Sequence, residues 1–220
     1  MASSSSPKLP RRTEVPEVVV ARLPQYVRIL SRLLEDKVDV VSSQQLGEKL
    51  QVTPAQIRKD LSYFGRFGKQ GRGYSVYSLL ERLREILGLN THWNVAVVGV
   101  GRLGRAIISY PGFTPDGFRL VAAFDANPAV IGETVGDLMV SPLEQLKELV
   151  ESQNISIAIV AVPAENTQEV VDLLTACGVR AILNYAPITP QVQGGVRIRN
   201  IDPVISLQSM TYYLSGSDNR

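Results

Sequence analysis

Three glycines at residues 99, 101 and 104 form the pattern in this sequence that most clearly indicates a bound ligand. They lie in VAVVGVGRLGRAI, directly after a short apolar run and at the start of a helical pattern. In such a strand, turn and helix, the first glycine permits a tight turn and the second lets backbone amides approach a pyrophosphate. The third allows close packing of helix on strand, and the helix N-terminus favours negative charge. The spacing therefore predicts a dinucleotide site at Gly99, Gly101 and Gly104.

An acidic residue follows the glycines at the distance that such a site requires. Asp125 ends the next apolar run, LVAAFD, where a carboxylate can hold both hydroxyls of an adenosine ribose. The same carboxylate would repel a 2′-phosphate, and no arginine follows it immediately, so the pattern favours NAD(H) over NADP(H). The alternative is that Asp125 is an ordinary turn residue before Asn127 and Pro128.

Residues suited to proton transfer are scarce around this predicted site. The only histidine, His92, precedes the first strand, far from the carboxyl ends of strands where ligands bind. Glu165 and Asn166 follow a later strand, but they are placed to cap the next helix. The lack of a well-placed proton donor favours a protein that senses the dinucleotide over an enzyme that uses it in a reaction. An NAD-dependent oxidoreductase with an accessory DNA-binding domain stays open as the alternative.

A second segment with functional side chains lies earlier in the chain. If Ile57, Leu61 and Phe64 face a core, helical geometry directs the side chains between them outward. Those types can reach base edges and phosphates, and the glycine-bearing segment that follows adds cations. The predicted DNA-contacting residues are Ala55, Gln56, Arg58, Lys59, Ser62, Tyr63, Arg66, Lys69 and Arg72. The alternative is a charged, solvated helix followed by a flexible loop.

Helix signals around this segment are typical of a helix-turn-helix. Ser42 with Gln45, and Thr53 with Gln56, each form the pattern of a capping box. Pro54 suits the first position of a helix, where its missing N–H costs nothing. Only QVT separates the two predicted helices, which is helix-turn-helix spacing.

Further elements complete a winged helix over residues 18–90. A first helix is predicted from Pro24. Its core side is formed by Val27, Leu30 and Leu34. After Gly65, glycines punctuate a predicted hairpin that ends in a strand at YSVY. Ser78 with Glu81 is expected to cap another helix.

From Asn94 onward, short apolar runs alternate with amphipathic helices. Strands are predicted at VAVVG, LVAAFD, SIAIVAV and AILNY, with helices near 102–110, 142–152 and 166–176. This alternation implies an α/β fold with a parallel sheet covered on both faces, a Rossmann-like domain over 91–202. GGVRIRNI resembles another strand, and Asp202 with Pro203 should start a last apolar helix over 203–215.

Composition and charge fit this division. Residues 1–90 hold 15 Lys and Arg against 9 Asp and Glu, while residues 91–220 hold 8 against 12. The basic first part suits a polyanion, and the second part suits a different partner. No apolar run is long enough for a membrane span, and no signal peptide or metal site is evident, so we expect a cytoplasmic protein. Residues 1–17 are expected to be a disordered tail, and the single cysteine, Cys177, a core thiol.

The motifs together resemble one family, the Rex redox-sensing transcriptional repressors. The similar stretches are ARLPQYVRIL, SSQQLGEKLQVTPAQIRKDLSYFG, GKQGRGYSV, VGVGRLGRAI, YPGF, AAFDANP, ILNYAP and NIDP. They extend from about residue 18 to residue 214. The resemblance implies a homodimer that binds a palindromic DNA operator when NAD+ prevails and is released when NADH binds.

The resemblance also implies roles that the residues alone leave undecided. Tyr110 would lie beside the nicotinamide, and Asp202 would contact either Tyr110 or the partner's Arg28, depending on the bound dinucleotide. Arg102 would lie near the cofactor phosphates, with Leu103, Val162 and Pro163 completing the predicted cofactor contacts. Pro203 stands where many relatives carry a larger apolar residue. The closing helix with MTYYL would be swapped into the partner.

Two further alternatives stay open at this point. One is a regulator of the same fold that binds CoA or another nucleotide. The other is a structural DNA-binding protein whose Rossmann-like unit serves only for dimerisation.

Overall fold

The computed structural model describes residues 15–67, 73–192 and 194–215. The chain divides into two units, Met1–Thr91 and His92–Arg220. The sequence places this boundary one residue earlier. None of the helices in the described ranges is long and apolar enough to cross a membrane.

The first unit consists of helices around one apolar core, with two short strands. In chain order its described elements are α1 (Glu17–Glu35), β1 (Val40–Val41), α2 (Ser43–Leu50), α3 (Pro54–Ser62), β2 (Tyr74–Ser75) and α4 (Val76–Leu87). Strands β1 and β2 pair antiparallel. Leu23, Leu46, Ile57 and Leu83, one from each helix, are completely buried in the core. The order of helices and the β1–β2 pair are those of a winged helix.

Local capping signals start α2 and α3 at the predicted residues. Ser42 Oγ accepts a hydrogen bond from the backbone N–H of Gln45 at 3.1 Å, and Gln45 Oε1 accepts one from Ser42 N–H at 2.9 Å. Thr53 Oγ1 accepts from the N–H of Gln56 at 3.2 Å, and Pro54 is the first residue of α3. The Gln56 side chain donates elsewhere, however, so the predicted box at Thr53 is only half formed.

The prediction for α1 is correct at Val27 and Leu30, which are buried, but wrong at Leu34 and at the start of the helix. The helix begins at Glu17 and contains Pro24, and Leu33 rather than Leu34 enters the core. Pro24 is tolerated because it lies on the exposed side, where water can satisfy the backbone carbonyl that has no N–H partner. The sequence pattern begins this helix at Pro24, whereas the proline is an interior residue of the helix.

Two corrections apply near α4. The predicted strand at YSVY is limited to Tyr74–Ser75, because α4 already begins at the next residue. Its cap is Ser75, whose Oγ accepts from the N–H of Ser78 at 3.3 Å, rather than Ser78 itself. The helix ends as expected at Gly88, which has a left-handed φ of 71°.

The second unit is built on a sheet of seven strands. Its elements are β3 (Trp93–Val98), α5 (Arg102–Ile108), a 3₁₀ helix (Pro111–Asp116), β4 (Phe118–Asp125), β5 (Thr134–Val135), β6 (Leu138–Pro142), a 3₁₀ helix (Leu143–Gln145), α6 (Leu146–Ser152), β7 (Ile155–Val160), α7 (Ala164–Ala176), β8 (Ala181–Asn184), β9 (Arg197–Asn200) and α8 (Pro203–Ser215). The strand order is β5-β6-β4-β3-β7-β8-β9. Among the described strands of this sheet, only β5 and β6 pair antiparallel, and the sequence does not predict that hairpin.

Both faces of this sheet are covered, as the continuous apolar runs require. Along β3, Val95 and Val97 belong to a core on one face, while Ala96 and Val98 belong to a core on the other. This alternation is the period of two that a strand imposes. Since β3 pairs in parallel with β4 on one side and with β7 on the other, the direction in which successive strands are added to the sheet reverses at β3. Ligands of doubly wound sheets bind at that point, beyond the carboxyl ends of the strands.

The last helix, α8, is not covered by the rest of its unit. Asp202 Oδ1 accepts a hydrogen bond from the N–H of Val204 at 2.8 Å, which confirms its predicted capping role, and Pro203 is the first helical residue. The large apolar side chains of α8 are 56–77% exposed: Val204, Ile205, Leu207, Met210, Tyr212, Tyr213 and Leu214.

Candidate functional site

The glycine loop, residues 99–104, connects β3 to α5 at the point where the order of strand addition reverses. Gly99 has a left-handed φ of 94°, and a Cβ there would lie 2.5 Å from the carbonyl oxygen of Ala161. A Cβ on Gly104 would collide with the carbonyl oxygen of Gly99. A Cβ on Gly101, in contrast, would meet no atom within 4 Å. Gly99 and Gly104 therefore serve the turn and the helix packing, while the space above Gly101 is open to a ligand.

Asp125 lies at the end of β4, beside the glycine loop. Its Oδ2 accepts a hydrogen bond from the N–H of Val100 at 2.6 Å, and its Oδ1 accepts one from the N–H of Asn127 at 2.8 Å. The turn role that the sequence left open is thus present. It does not exclude ligand binding, since a carboxylate oxygen can accept more than one hydrogen bond. The Asp125 carboxylate thus connects the glycine loop to the turn that follows β4.

Both the N–H and the C=O of Val100 form hydrogen bonds with side chains, which the sequence does not predict. Arg105 Nε donates to the Val100 carbonyl at 3.1 Å, and the Arg105 guanidinium forms an ion pair with Glu133. The loop is therefore held by Asp125 at its N–H and by Arg105 at its C=O. A single basic residue in a helix gives no sequence signal for such a contact.

The other predicted cofactor residues lie in the segments that follow β3 and β7. Arg102 and Leu103 are exposed in the first turn of α5, and Gly101 is its N-cap. Val162 and Pro163 follow β7, and the Val162 side chain lies against Gly99. These residues therefore follow two neighbouring parallel strands, β3 and β7, at their carboxyl ends.

Tyr110 lies directly after α5 and is 59% exposed. Its ring packs edge-on against Phe113, with ring centroids 5.3 Å apart, and lies over Gly112. A side chain on Gly112 would displace this ring, because a Cβ there would lie 2.5 Å from the Tyr110 Cζ. The YPGF motif therefore holds the tyrosine ring in one position while leaving much of its surface accessible.

The segment after β8 is fixed by a buried amide. Asn184 is completely buried, and its Nδ2 donates to the carbonyl of Ile188 and to Asn200 Oδ1, both at 2.9 Å. Its Oδ1 accepts from the N–H of Ala186 at 3.0 Å. This explains the ILNYAP motif, since the asparagine holds the loop at the carboxyl end of β8.

In the first unit, α3 presents the predicted side chains unequally. Ala55, Arg58, Lys59 and Ser62 are exposed, as is Arg66 beyond the helix. Arg58 Nη1 donates to Ser43 Oγ at 3.0 Å, which links α3 to α2. The predicted residues Lys69 and Arg72 lie outside the described residues.

Two residues expected to face outward are only partly available. Tyr63 is half-buried and packs against the core of the unit. Gln56 is also half-buried, and its Nε2 donates to Asp60 Oδ1 at 2.6 Å. Gln56 is therefore not free to read a base in this conformation, because its amide is engaged within the protein.

Asp60 is the main feature that the sequence did not reveal. Its carboxylate is completely buried and accepts hydrogen bonds from Arg22 Nε and Nη2, both at 2.7 Å. Tyr26 Oη donates to it at 2.7 Å, in addition to Gln56. We call these four residues the Asp60 cluster. It joins α1 to the last turn of α3 through an ion pair in which both carboxylate oxygens of Asp60 accept two hydrogen bonds.

The charges in this cluster shift the pKa values of its members. Burial alone raises the pKa of Asp60, but the donated bonds from Arg22, Tyr26 and Gln56 outweigh it and lower the pKa below its ordinary value. Burial and the Asp60 carboxylate together raise the pKa of the Tyr26 hydroxyl. The hydrogen bond to Asp60 raises the pKa of Arg22. At neutral pH the cluster thus holds an ionised carboxylate.

His92, Glu165 and Asn166, the residues considered for proton transfer, lie at the ends of elements. His92 is exposed just before β3, and Glu165 and Asn166 lie in the first turn of α7, where Pro163 rather than either side chain is the cap. Burial raises the pKa of the Cys177 thiol. Within the described ranges, no group of three or more His, Cys, Asp or Glu could hold a metal ion. Arg28 is exposed on α1.

Comparison with known proteins assigns both units. A family model described as "Putative DNA-binding protein N-terminus" matches residues 14–62, and one described as "CoA binding domain" matches residues 90–188. The Redox-sensing transcriptional repressor Rex of Chloroflexus aurantiacus is 54% identical over 91% of this chain and 94% of its own. The chain belongs to the Rex family. Rex of Brevibacillus brevis is 46% identical, over 93% of this chain and 99% of its own.

Solved structures of the Rex-family repressor RSP agree with this assignment. RSP in complex with beta-NAD+ and operator DNA is 39% identical, covering 94% of this chain and 95% of its own with a TM-score of 0.89. RSP in complex with beta-NADH is 37% identical, covering 94% and 97% with a TM-score of 0.84. The predicted family is confirmed, as is the combination of an N-terminal DNA-binding domain with a Rossmann-like sheet.

Proposed function

We propose that this protein is a redox-sensing transcriptional repressor that binds operator DNA as a homodimer and is released when NADH binds. The single observation that carries the proposal is the combination of two sites in one chain. One is the exposed face of a recognition helix, α3, and the other is the glycine loop with Asp125. The Rex relatives, together with the RSP structures that contain operator DNA with beta-NAD+ or contain beta-NADH, support the same pairing of DNA with a dinucleotide.

The residues around the glycine loop fit NAD+ or NADH. The open space above Gly101 supports a pyrophosphate next to the backbone, and the position of Asp125 at the end of β4 supports a contact with a ribose. Arg102, Leu103, Val162 and Pro163 line the same crevice in this proposal, and Tyr110 lies beside the nicotinamide. The bound dinucleotide supplies a ring whose charge depends on its oxidation state. An apolar pocket disfavours the oxidised, cationic ring, so the pocket discriminates in favour of NADH.

DNA binding is assigned to the exposed side of α3 and to the segment after it. Ala55, Lys59 and Ser62 face the groove, with Arg58 and Arg66 near the phosphates. Lys69 and Arg72 are proposed to extend this contact. Gln56 and Tyr63 contribute only if their side chains leave the contacts described above.

We assign dimerisation to α8. Its apolar side chains are uncovered within the chain, and the proposed partner is a second copy that receives the helix by domain swapping. Burying large apolar side chains stabilises such an association by roughly 1.5–3 kcal/mol each.

Arg28, Tyr110 and Asp202 form the proposed switch. Asp202 begins α8 and is half-exposed, so its carboxylate can change partners without leaving its helix cap. In the DNA-bound state it would pair with Arg28 of the partner subunit. With NADH bound it would pair with Tyr110 instead, and the pairing between subunits would be lost.

The two proposed states differ in the distance between recognition helices. A dimer that reads successive major grooves needs them about 34–36 Å apart. The NADH-bound state does not maintain that distance. Moving the equilibrium from 1:99 to 99:1 requires about 5.5 kcal/mol of difference in NADH affinity between the states.

We further propose that the dinucleotide is sensed without being turned over. The exposed position of His92 before β3 supports this, since it is not at the ligand-binding end of the strands. Because operator binding requires access to the chromosome, we propose a cytoplasmic location.

The test first uses the protein to select a palindromic duplex from a library of random DNA sequences. The selected duplex is then labelled with a fluorophore. Fluorescence anisotropy follows binding of the protein, and NADH or NAD+ is then added separately. We expect release by NADH and retention with NAD+. Equal anisotropy with saturating NADH and with no dinucleotide would refute the proposal. Loss of NADH absorbance with a candidate substrate would instead favour an oxidoreductase.

A further inference from the structure

Arg22 lies beside the recognition helix, although it belongs to α1. The exposed residues Ala55 and Ser62 mark the middle of the outward face of α3. Arg58, bonded to Ser43, marks the flank toward α2. Helical geometry places residues 56 and 60 on the opposite flank. Because Arg22 binds Asp60 through two nitrogens, its guanidinium lies along that flank.

The guanidinium retains donors after this pairing. Nε and Nη2 donate to the two oxygens of Asp60, whereas Nη1 has no hydrogen-bond partner among the described residues. The Arg22 side chain is 22% exposed, while Asp60 is completely buried. Asp60 thus holds the planar group in one orientation, with one edge bound inside the protein and the rest available to solvent. An arginine can bind one carboxylate and an additional anion in this way, whereas lysine is a point charge.

A helix in the major groove has phosphates of the DNA backbone along both of its flanks. Cations on either side can therefore bind phosphate without reading sequence. Arg58 is already proposed for one side. On the other side, Arg22 is the charged group that the structure holds in place.

We infer that Arg22 is a DNA phosphate contact, oriented by Asp60. The inference rests on the proposed operator binding, and it adds a contact from α1 to those of α3. Each such contact releases counterions, so the logarithm of affinity changes with the logarithm of salt concentration by about 0.9 per phosphate. With both subunits of a dimer engaged, loss of Arg22 should reduce this slope by about 1.8.

The test compares Arg22→Gln with the wild type on the selected operator duplex and on a duplex of unrelated sequence. Glutamine can still donate one hydrogen bond to Asp60 but carries no charge. Arg32→Gln is the matched control, because Arg32 is exposed on the same helix ten residues further along. Lys59→Gln provides the positive comparison. Affinities are measured by anisotropy from about 50 to 200 mM salt, over which a slope change of 1.8 alters the affinity ratio about twelve-fold.

Partial unfolding of the variant does not obscure this result. Titration at protein concentrations far above the dissociation constant gives the active fraction at each salt concentration, and the affinities are corrected for this fraction before the slopes are compared. We expect Arg22→Gln and Lys59→Gln to lower the slope, and Arg32→Gln to leave it unchanged. Arg22→Gln should weaken binding to both duplexes by similar factors.

A slope for Arg22→Gln equal to those of the wild type and Arg32→Gln would overturn the inference. So would a loss confined to the operator duplex, which would mean that Arg22 only positions α3. Failure of the proposed function looks different, since the wild type itself would then bind no duplex or would not respond to NADH.

Discussion

The Asp60 cluster makes one quantitative prediction about the first unit. Asp60→Asn replaces a buried carboxylate that accepts four hydrogen bonds with an amide that has one oxygen. The amide nitrogen of the new asparagine would face hydrogen-bond donors, and Arg22 would lose its charged partner. Breaking a buried ion pair by removing one member costs roughly 3–5 kcal/mol. Because Arg22 is partly exposed and can regain water, we expect about 3 kcal/mol, at the lower end.

Hydrogen exchange of the whole protein measures this loss without isolating the domain. A decrease of about 3 kcal/mol in the free energy of opening corresponds to a fall of roughly 150-fold in the protection factors of α1 and α3. Peptides from β3 and β7 serve as the internal reference, since they belong to the second unit. Asp36→Asn is the control variant, because Asp36 is exposed at the end of α1.

The effect should depend on pH in one direction. The folded state lowers the pKa of Asp60, so its stabilisation is complete above the unfolded pKa of about 3.9 and is lost as pH falls through the folded pKa. The difference between wild type and variant should therefore be constant near neutral pH and shrink below about pH 4. Protection factors of Asp60→Asn equal to those of the wild type at pH 7 would refute the reasoning.

Three further predictions concern the two proposed sites. Lys59→Ala removes an exposed cation from α3, so operator affinity at moderate salt should fall, and unchanged anisotropy titrations would reject its placement at the DNA. Asp125→Ala should abolish release by NADH while operator binding persists, and full release would exclude the ribose role. Gly101→Val adds a side chain into open space, so calorimetry should find little change in melting temperature but much weaker NADH binding. Gly104→Ala should instead lower the melting temperature, because its Cβ meets the backbone of Gly99, and equal melting of the two variants would contradict the assigned glycine roles.

Local signals predicted the parts of the fold that local interactions determine. The helix starts at α2 and α3 are as expected, because capping involves residues only a few positions apart. Ser42 and Gln45 form the capping box of α2, and Pro54 is the first residue of α3. The glycine pattern located the β3–α5 turn for the same reason. Asp202 likewise caps α8 with a neighbouring N–H. Each of these assignments needs no knowledge of distant parts of the chain.

Contacts between distant residues could not be obtained in this way. Asp60 appears in the sequence as an ordinary acid on a basic helix, and its partners Arg22 and Tyr26 lie more than thirty positions away. Its burial also redirected Gln56, which was expected to face DNA. The apolar spacing of α1 predicts the buried Val27 and Leu30 but not Leu33, and Pro24 does not mark the start of the helix. The proline lies on the exposed side of α1, where an interior proline is tolerated.

The central claim is that dinucleotide and DNA binding are coupled through one equilibrium, and reciprocity tests it most directly. NADH affinity is measured by calorimetry with the protein free and with it saturated by the selected operator duplex. DNA affinity is measured with and without saturating NADH. Linkage requires operator DNA to weaken NADH binding by the same factor by which NADH weakens DNA binding. We predict two equal factors well above one, and an NADH affinity that is identical with and without DNA would contradict the account.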